Sequence, residues 1–248
     1  MAGHSQFANI KHRKGAQDAK RAKVFTKLVR EIITSVKVGG PDADGNPRLR
    51  AAMSAARVQN LPKDRSEAAI SKGSSTNEGD DFEEMRYEGY APGGIAIIVD
   101  ALTDNKNRTA SDVRSAFTKS GGNLGETGSV SFMFDKIGLI AFKKENIDFE
   151  KMFEAAIEAG AEDCESDEEY HSITSSPESL NEVRDYLVAK FGEPEFCRIT
   201  WKAQNYIIID DKERAEKILK LIDALEDSDD VQYVSGNYQF SEEVQKQL

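Results

Sequence analysis

Eight lysines and arginines fall between Lys11 and Arg30, against a single acid, Asp18. Lys11, Arg13 and Lys14 cluster at the start of this run, and Lys20, Lys23, Lys27 and Arg30 follow three or four residues apart. Cationic groups at this density attract a polyanion, because each phosphate they neutralise releases condensed counterions. Arginine adds a planar fork that matches phosphate oxygens. On a helix, Lys20, Lys23, Lys27 and Arg30 share one face, and so few acids lie near them that ion pairs within the helix cannot neutralise it. These positions are the candidate contacts with DNA or ribosomal RNA. Reversing Lys20, Lys23 and Lys27 to glutamate is expected to weaken such binding and to leave the fold intact.

Other chemistry finds little to rest on. GGNLGETGSV (121–130) is glycine-rich but lacks GK[ST] and leads into a strand, whereas a phosphate cradle needs amides at a helix N-terminus. His4, His12 and His171 lie far apart with no metal-ligand spacing. EDCESDEEYH (162–171) is acidic but lacks the spacing of a calcium loop. There is no GxSxG, and Cys164 and Cys197 form no CxxC. The expectation is a protein without catalytic residues, metal or cofactor, with two buried thiols in a reducing cytoplasm.

The elements that must position the cations are set by the charge pattern and the apolar periods. The chain has 248 residues and a formal net charge of −11, yet residues 1–72 carry +9 and the remainder −20. Such a split suits one segment made for a polyanion and another that avoids it. No apolar run has the length of a membrane span, and MAGHSQF has no signal-peptide core.

The spacing of Val24, Phe25, Leu28, Val29, Ile32, Ile33 and Val36 predicts a helix from about residue 16, its apolar face packed on residues 48–70. GGPDADGNP (39–47) ends it. A second helix carries Leu49, Met53 and Ala56 inward, and Pro62 opens a third, which ends near Gly73. Residues 71–81 read as a polar linker. FEEMRYEGY and GIAIIVDAL are strands joined by an APGG hairpin, followed by a helix in 103–122 and a strand at 129–135. Residues 138–201 then read β-α-β-β-α-β, the split βαβ order of a ferredoxin-like sandwich, with Phe149, Phe153, Ala156 and Ile157 on one face of its first helix. The tail offers a strand, a helix and a further strand.

Four stretches together, MAGHSQFANIKHRKGAQDAKRAKVF, YEGYAPGGIAIIVDALTDNKNRT, GGNLGETGSVSFMF and DDVQYVSGNYQF, resemble the YebC-type proteins, a bacterial family with mitochondrial relatives. The resemblance runs from the first residue nearly to the last. Phe7 departs from it, standing where the family usually has tryptophan. The resemblance implies three domains with the third inserted in the second, which agrees with the element order: an α+β fold with a basic helical domain (1–80) whose N-terminal arm is expected to be mobile, then two sandwich domains of ferredoxin-like type, one discontinuous (81–135 and 204–248) and one inserted in it (136–203). It further implies a non-enzymatic, cytoplasmic regulator of gene expression that binds nucleic acid. Within the family the labels divide between transcriptional regulators, translational activators and ribosome-associated factors. The positions carried over are Lys11, His12, Arg13 and Lys14, with Arg108 of TDNKNRT beside them. The alternative is an adaptor whose basic face meets an acidic protein.

Overall fold

The computed structural model describes residues 17–75, 82–145 and 147–248, with side chains from residue 21 onward. The fold is α+β, a helical region followed by strand-rich sheets. The described residues cluster into two units, one of 31–75 and 136–200, the other of 17–30, 82–135 and 201–248.

Helix α1 (Gln17–Gly39) contributes its residues beyond Arg30 to the first unit, with α2 (Pro47–Val58) and α3 (Lys63–Ser74). Asn46 explains the sharp join between α1 and α2. Its Oδ1 accepts from Leu49 N at 3.1 Å, capping α2, while its Nδ2 donates to Ser35 O and Gly40 O, each at 2.8 Å. Pro47 then fills the first helical turn, where a missing N–H costs nothing. Ile32, Ile33, Val36, Leu49, Ala52, Ala56, Leu61 and Ala69 are buried, whereas Met53 is only half-buried. At Gly73 a side chain would sit 2.8 Å from Ile33 O, so α3 meets α1 through backbone. The expected packing of the whole α1 face on residues 48–70 is corrected here: Val24, Phe25, Leu28 and Val29 are half-buried and belong with the second unit.

The same unit holds β4 (Phe134–Lys143), α5 (Phe149–Glu158), β5 (Asp163–Ser166), β6 (Tyr170–Ser175), α6 (Leu180–Phe191) and β7 (Phe196–Ala203), apart from the end residues of β4 and β7. Its sheet runs β5-β6-β4-β7, the spatial order of a split βαβ sandwich. Ile140, Phe142, Met152, Ala156, Ile173, Val183 and Leu187 fill its core. Cys164 is buried there and Cys197 packs against it. Burial pushes the two thiols up to about 11 and about 12. A thiol held this high is almost wholly protonated at neutral pH, and the thiolate is the reactive form. Native protein at pH 8 should therefore react with an aromatic disulfide at least tenfold more slowly than denatured protein. Equal rates would mean that these thiols open freely to solvent.

In the second unit, β1 (Glu83–Ala91) and β2 (Ile95–Thr103) form the expected antiparallel hairpin, Ala91 opposite Ile95. Pro92 presets the turn, and Gly93 takes φ +85°, which an L side chain rarely adopts. α4 (Lys106–Lys119) leads to β3 (Asn123–Leu124), and β8 (Ile207–Ile209), α7 (Lys212–Glu226), β9 (Val231–Gly236), β10 (Tyr238–Phe240) and α8 (Glu242–Gln245) complete the chain. The sheet runs β3-β1-β2-β9 with antiparallel neighbours. Central β2 is apolar on both faces because both are covered. Ile95, Ile97 and Val99 meet Phe117, Ile218 and Leu221, and Ala96 and Ile98 meet Val130, Phe134 and Ala203. The strand expected at 129–135 is absent. Residues 131–133 form a 3-10 turn and Phe134 begins β4. The cause is buried Glu88, whose Oε2 accepts from Val130 N and Ser131 N, each at 2.8 Å, and so withdraws both amides from strand pairing.

Candidate nucleic-acid interface

The basic face of α1 carries Lys23, Lys27 and Arg30 at i, i+4 and i+7. A rise of 1.5 Å per residue spreads these three over about 10 Å. They lie along the end of α7 and the turn that follows it. Lys23 Nζ pairs with Asp227 Oδ1 at 2.6 Å and also donates to Asp227 O at 3.0 Å. Lys27 Nζ donates to Glu226 O at 3.0 Å. Arg30 donates to Asp230 Oδ1 at 2.5 Å, Asp229 O at 2.9 Å and Leu102 O at 3.2 Å, and lies over the Phe82 ring at 5.1 Å. The last carbonyls of a helix carry partial negative charge, so cations at the end of α7 are favourable on dipole grounds as well.

Arg108 closes the same site from the other side. Asn105 caps α4 by accepting from Arg108 N at 3.1 Å. That start directs the Arg108 guanidinium onto Asp230 Oδ2 at 2.8 Å and Asp104 Oδ1 at 2.7 Å. The Thr109 hydroxyl lies 2.7 Å from Asp230 Oδ2. Asp230 is thus a nearly buried carboxylate between two guanidiniums and a hydroxyl, its side chain 5 % exposed. Burial raises its pKa, but the bonds from Thr109, Arg108 and Arg30 outweigh burial and hold it below the ordinary range. The Arg108 guanidinium is correspondingly raised by Asp230 and then Asp104.

Three of the cations expected to form a stripe facing solvent, Lys23, Lys27 and Arg30, therefore converge with Arg108 on residues 226–230, EDSDD. The expected reversal of Lys20, Lys23 and Lys27 therefore meets a contact at two of its three positions, since Lys23 and Lys27 are held by Asp227 and Glu226 O. A glutamate at Lys23 would face Asp227, and one at Lys27 the carbonyl end of α7. The partner escapes sequence reasoning because it lies about 200 residues along the chain. The one signal in the sequence is the density of acid in EDSDD. Arg21 is exposed and stacks at 5.5 Å over the Phe25 ring. Lys11, His12, Arg13, Lys14 and the Lys20 side chain lie outside the described residues.

Among the described residues no group of His, Cys, Asp and Glu is placed to hold a metal ion. No described helix is long and apolar enough to cross a membrane.

Residues 5–76 match the TACO1/YebC N-terminal domain, and residues 82–238 match the TACO1/YebC second and third domain. The chain belongs to the TACO1/YebC family. A relative from Rickettsia bellii (strain OSU 85-389), named "Probable transcriptional regulatory protein", is 59% identical over 98% of this chain and 95% of its own. A relative of the same name from Rickettsia felis is 58% identical over 98% of this chain and 97% of its own. The crystal structure of a conserved hypothetical protein, Aq1575 from Aquifex aeolicus, superposes with a TM-score of 0.89 at 48% identity. It covers 97% of this chain and 99% of that one.

Proposed function

We propose that this TACO1/YebC protein is a non-enzymatic, cytoplasmic regulator of gene expression. It contacts nucleic acid through the basic start of the chain, Lys11, His12, Arg13 and Lys14 with Lys20 and Arg21. The observation that carries the reading is the segregation of charge, +9 in residues 1–72 against −20 in the rest. The names of the Rickettsia relatives point the same way. Lys23, Lys27, Arg30 and Arg108 act mainly as the clamp on Asp230 and its neighbours that holds the first half of α1 in the second unit. In this reading residues 1–80 form the domain that faces nucleic acid, and the acidic domains 81–135/204–248 and 136–203 repel off-target phosphate.

RNA held by shape and phosphate suits the geometry better than a DNA operator read in the major groove. A helix-turn-helix reader would present the exposed side of α3, yet the exposed residues there mix Lys63 and Arg65 with Asp64 and Glu67, and Lys63 lies 3.5 Å from Glu67. Arg48 and Arg50 of α2 are engaged by Glu31 and Asp185.

Crosslinking in cells followed by sequencing of the attached nucleic acid tests this. Ribosomal RNA crosslinks within residues 11–21 are expected, and promoter DNA crosslinked through 47–74 would replace the RNA reading with an operator reader. In vitro, Lys11→Glu, Arg13→Glu and Lys14→Glu together should weaken RNA binding more than about tenfold. Its salt dependence should flatten by roughly one power of salt concentration for each phosphate no longer neutralised. The melting temperature should not move. Unchanged binding would leave the adaptor reading in its place.

A further inference from the structure

The sequence pattern places Phe149, Phe153 and Ile157 on one face of α5, and that face is solvent-exposed. The three are 39 %, 42 % and 61 % exposed, while Met152, Ala155 and Ala156 take the core side. The Phe149 and Phe153 rings lie 5.8 Å apart, and Phe149 reaches His171 of β6 at 6.0 Å. The three residues follow i, i+4, i+8 and make an apolar row about 12 Å long. Glu150, Glu154 and Glu158 form a second row one residue on, also exposed. Glu158 is anchored by Lys190 at 2.5 Å and by the Tyr186 hydroxyl at 2.6 Å, and these two, Lys190 first, hold its carboxyl below the ordinary range.

We propose that α5 is a docking surface for a basic amphipathic helix of a partner protein. Contiguous exposed apolar side chains mark interaction sites, and an apolar row beside a charged row is what a helix with matching rows recognises. The carboxylate row selects the occupant. It repels nucleic acid and anionic lipid. It also disfavours the same surface of a second copy of this chain, since residues 136–200 hold sixteen acids against seven lysines and arginines. A partner with leucines on one row and lysines on the next satisfies both rows. The surface is independent of the proposed nucleic-acid contact.

The test uses the full chain and a fluorescent 18-residue synthetic helix carrying one leucine row and one lysine row, read by anisotropy at physiological salt. A scrambled peptide of the same composition is the control. The ordered peptide should bind at least tenfold more tightly than the scrambled one. Phe153→Gln with Ile157→Gln should weaken it about tenfold or more, and so should Glu150→Lys with Glu154→Lys. Unchanged circular dichroism shows that these exposed positions leave the fold alone. Equal binding of the two peptides, or full binding by either variant, overturns the proposal. So does a dimer of the chain, seen by sedimentation, that Phe153→Gln with Ile157→Gln dissolves, since the occupant is then a second copy.

Discussion

Asp230→Asn should destabilise the second unit by roughly 3 kcal/mol, the scale of breaking a buried ion pair from one side. The substitution keeps the shape but removes the charge that Arg30 and Arg108 share. Arg30 suffers most, since its side chain is only 15 % exposed, whereas Arg108, at 46 %, recovers water. Asp229→Asn is the matched control. That side chain is exposed and its residue contributes a backbone carbonyl, so its effect should stay within about 0.5 kcal/mol. Trp201, the chain's one tryptophan, lies in this unit under Arg86 at 4.2 Å and reports its unfolding in urea by fluorescence. Equal urea midpoints for Asp230→Asn and Asp229→Asn would refute the clamp.

The same carboxylate sets a pH dependence. Its folded pKa lies below the unfolded value of 3.8, so between the two the unfolded chain binds more protons. The stability it contributes is complete above about pH 4 and disappears as pH falls through the folded pKa. The gap between the native chain and Asp230→Asn should therefore be constant from pH 5 to 8 and narrow in acid. A gap that widened in acid would mean that Asp230 is protonated in the native state.

Local features are legible in the sequence because their causes are local. Asn46-Pro47 announces a helix start, APGG a hairpin, and alternating strands and helices the sandwich order of the 136–200 segment. Two kinds of information are not legible. The first is the partner of a charge: nothing near Lys23, Lys27 and Arg30 indicates that residues 226–230 receive them. A basic stripe free for phosphate and one that binds its own chain have the same sequence. The second is which apolar row of a helix faces inward. In α5 both Met152-Ala155-Ala156 and Phe149-Phe153-Ile157 have helical spacing, and it is the first row that takes the core.

The strand expected at 129–135 and not found shows how a single side chain overrides propensity, and it supports a second large effect. SVSFMFD has the β-branched and aromatic content of a strand, but Glu88 takes two of its amides. The carboxyl is 1 % exposed, and although burial raises its pKa, the amides of Val130, Gly128 and Ser131 lower it further, so it is ionised at neutral pH. Glu88→Ala leaves two N–H groups without their acceptor, at about 1–3 kcal/mol each where no water replaces it. The loss should total roughly 3 kcal/mol and fall on the face of the sheet where Val130 and Phe134 cover Ile98. Glu88→Gln keeps a carbonyl acceptor of the same length and should recover about half, because a charged acceptor outbids a neutral one. Hydrogen exchange at Val130 and Ser131 separates this from a general loss of packing. Both amides should exchange much faster in Glu88→Ala, and at intermediate rates in Glu88→Gln, while those of β2 keep their protection relative to the global unfolding rate. If Glu88→Ala left the Val130 and Ser131 amides protected, the turn would be held by Val130 and Phe134 packing alone, and the buried carboxylate would have no part in ending the strand.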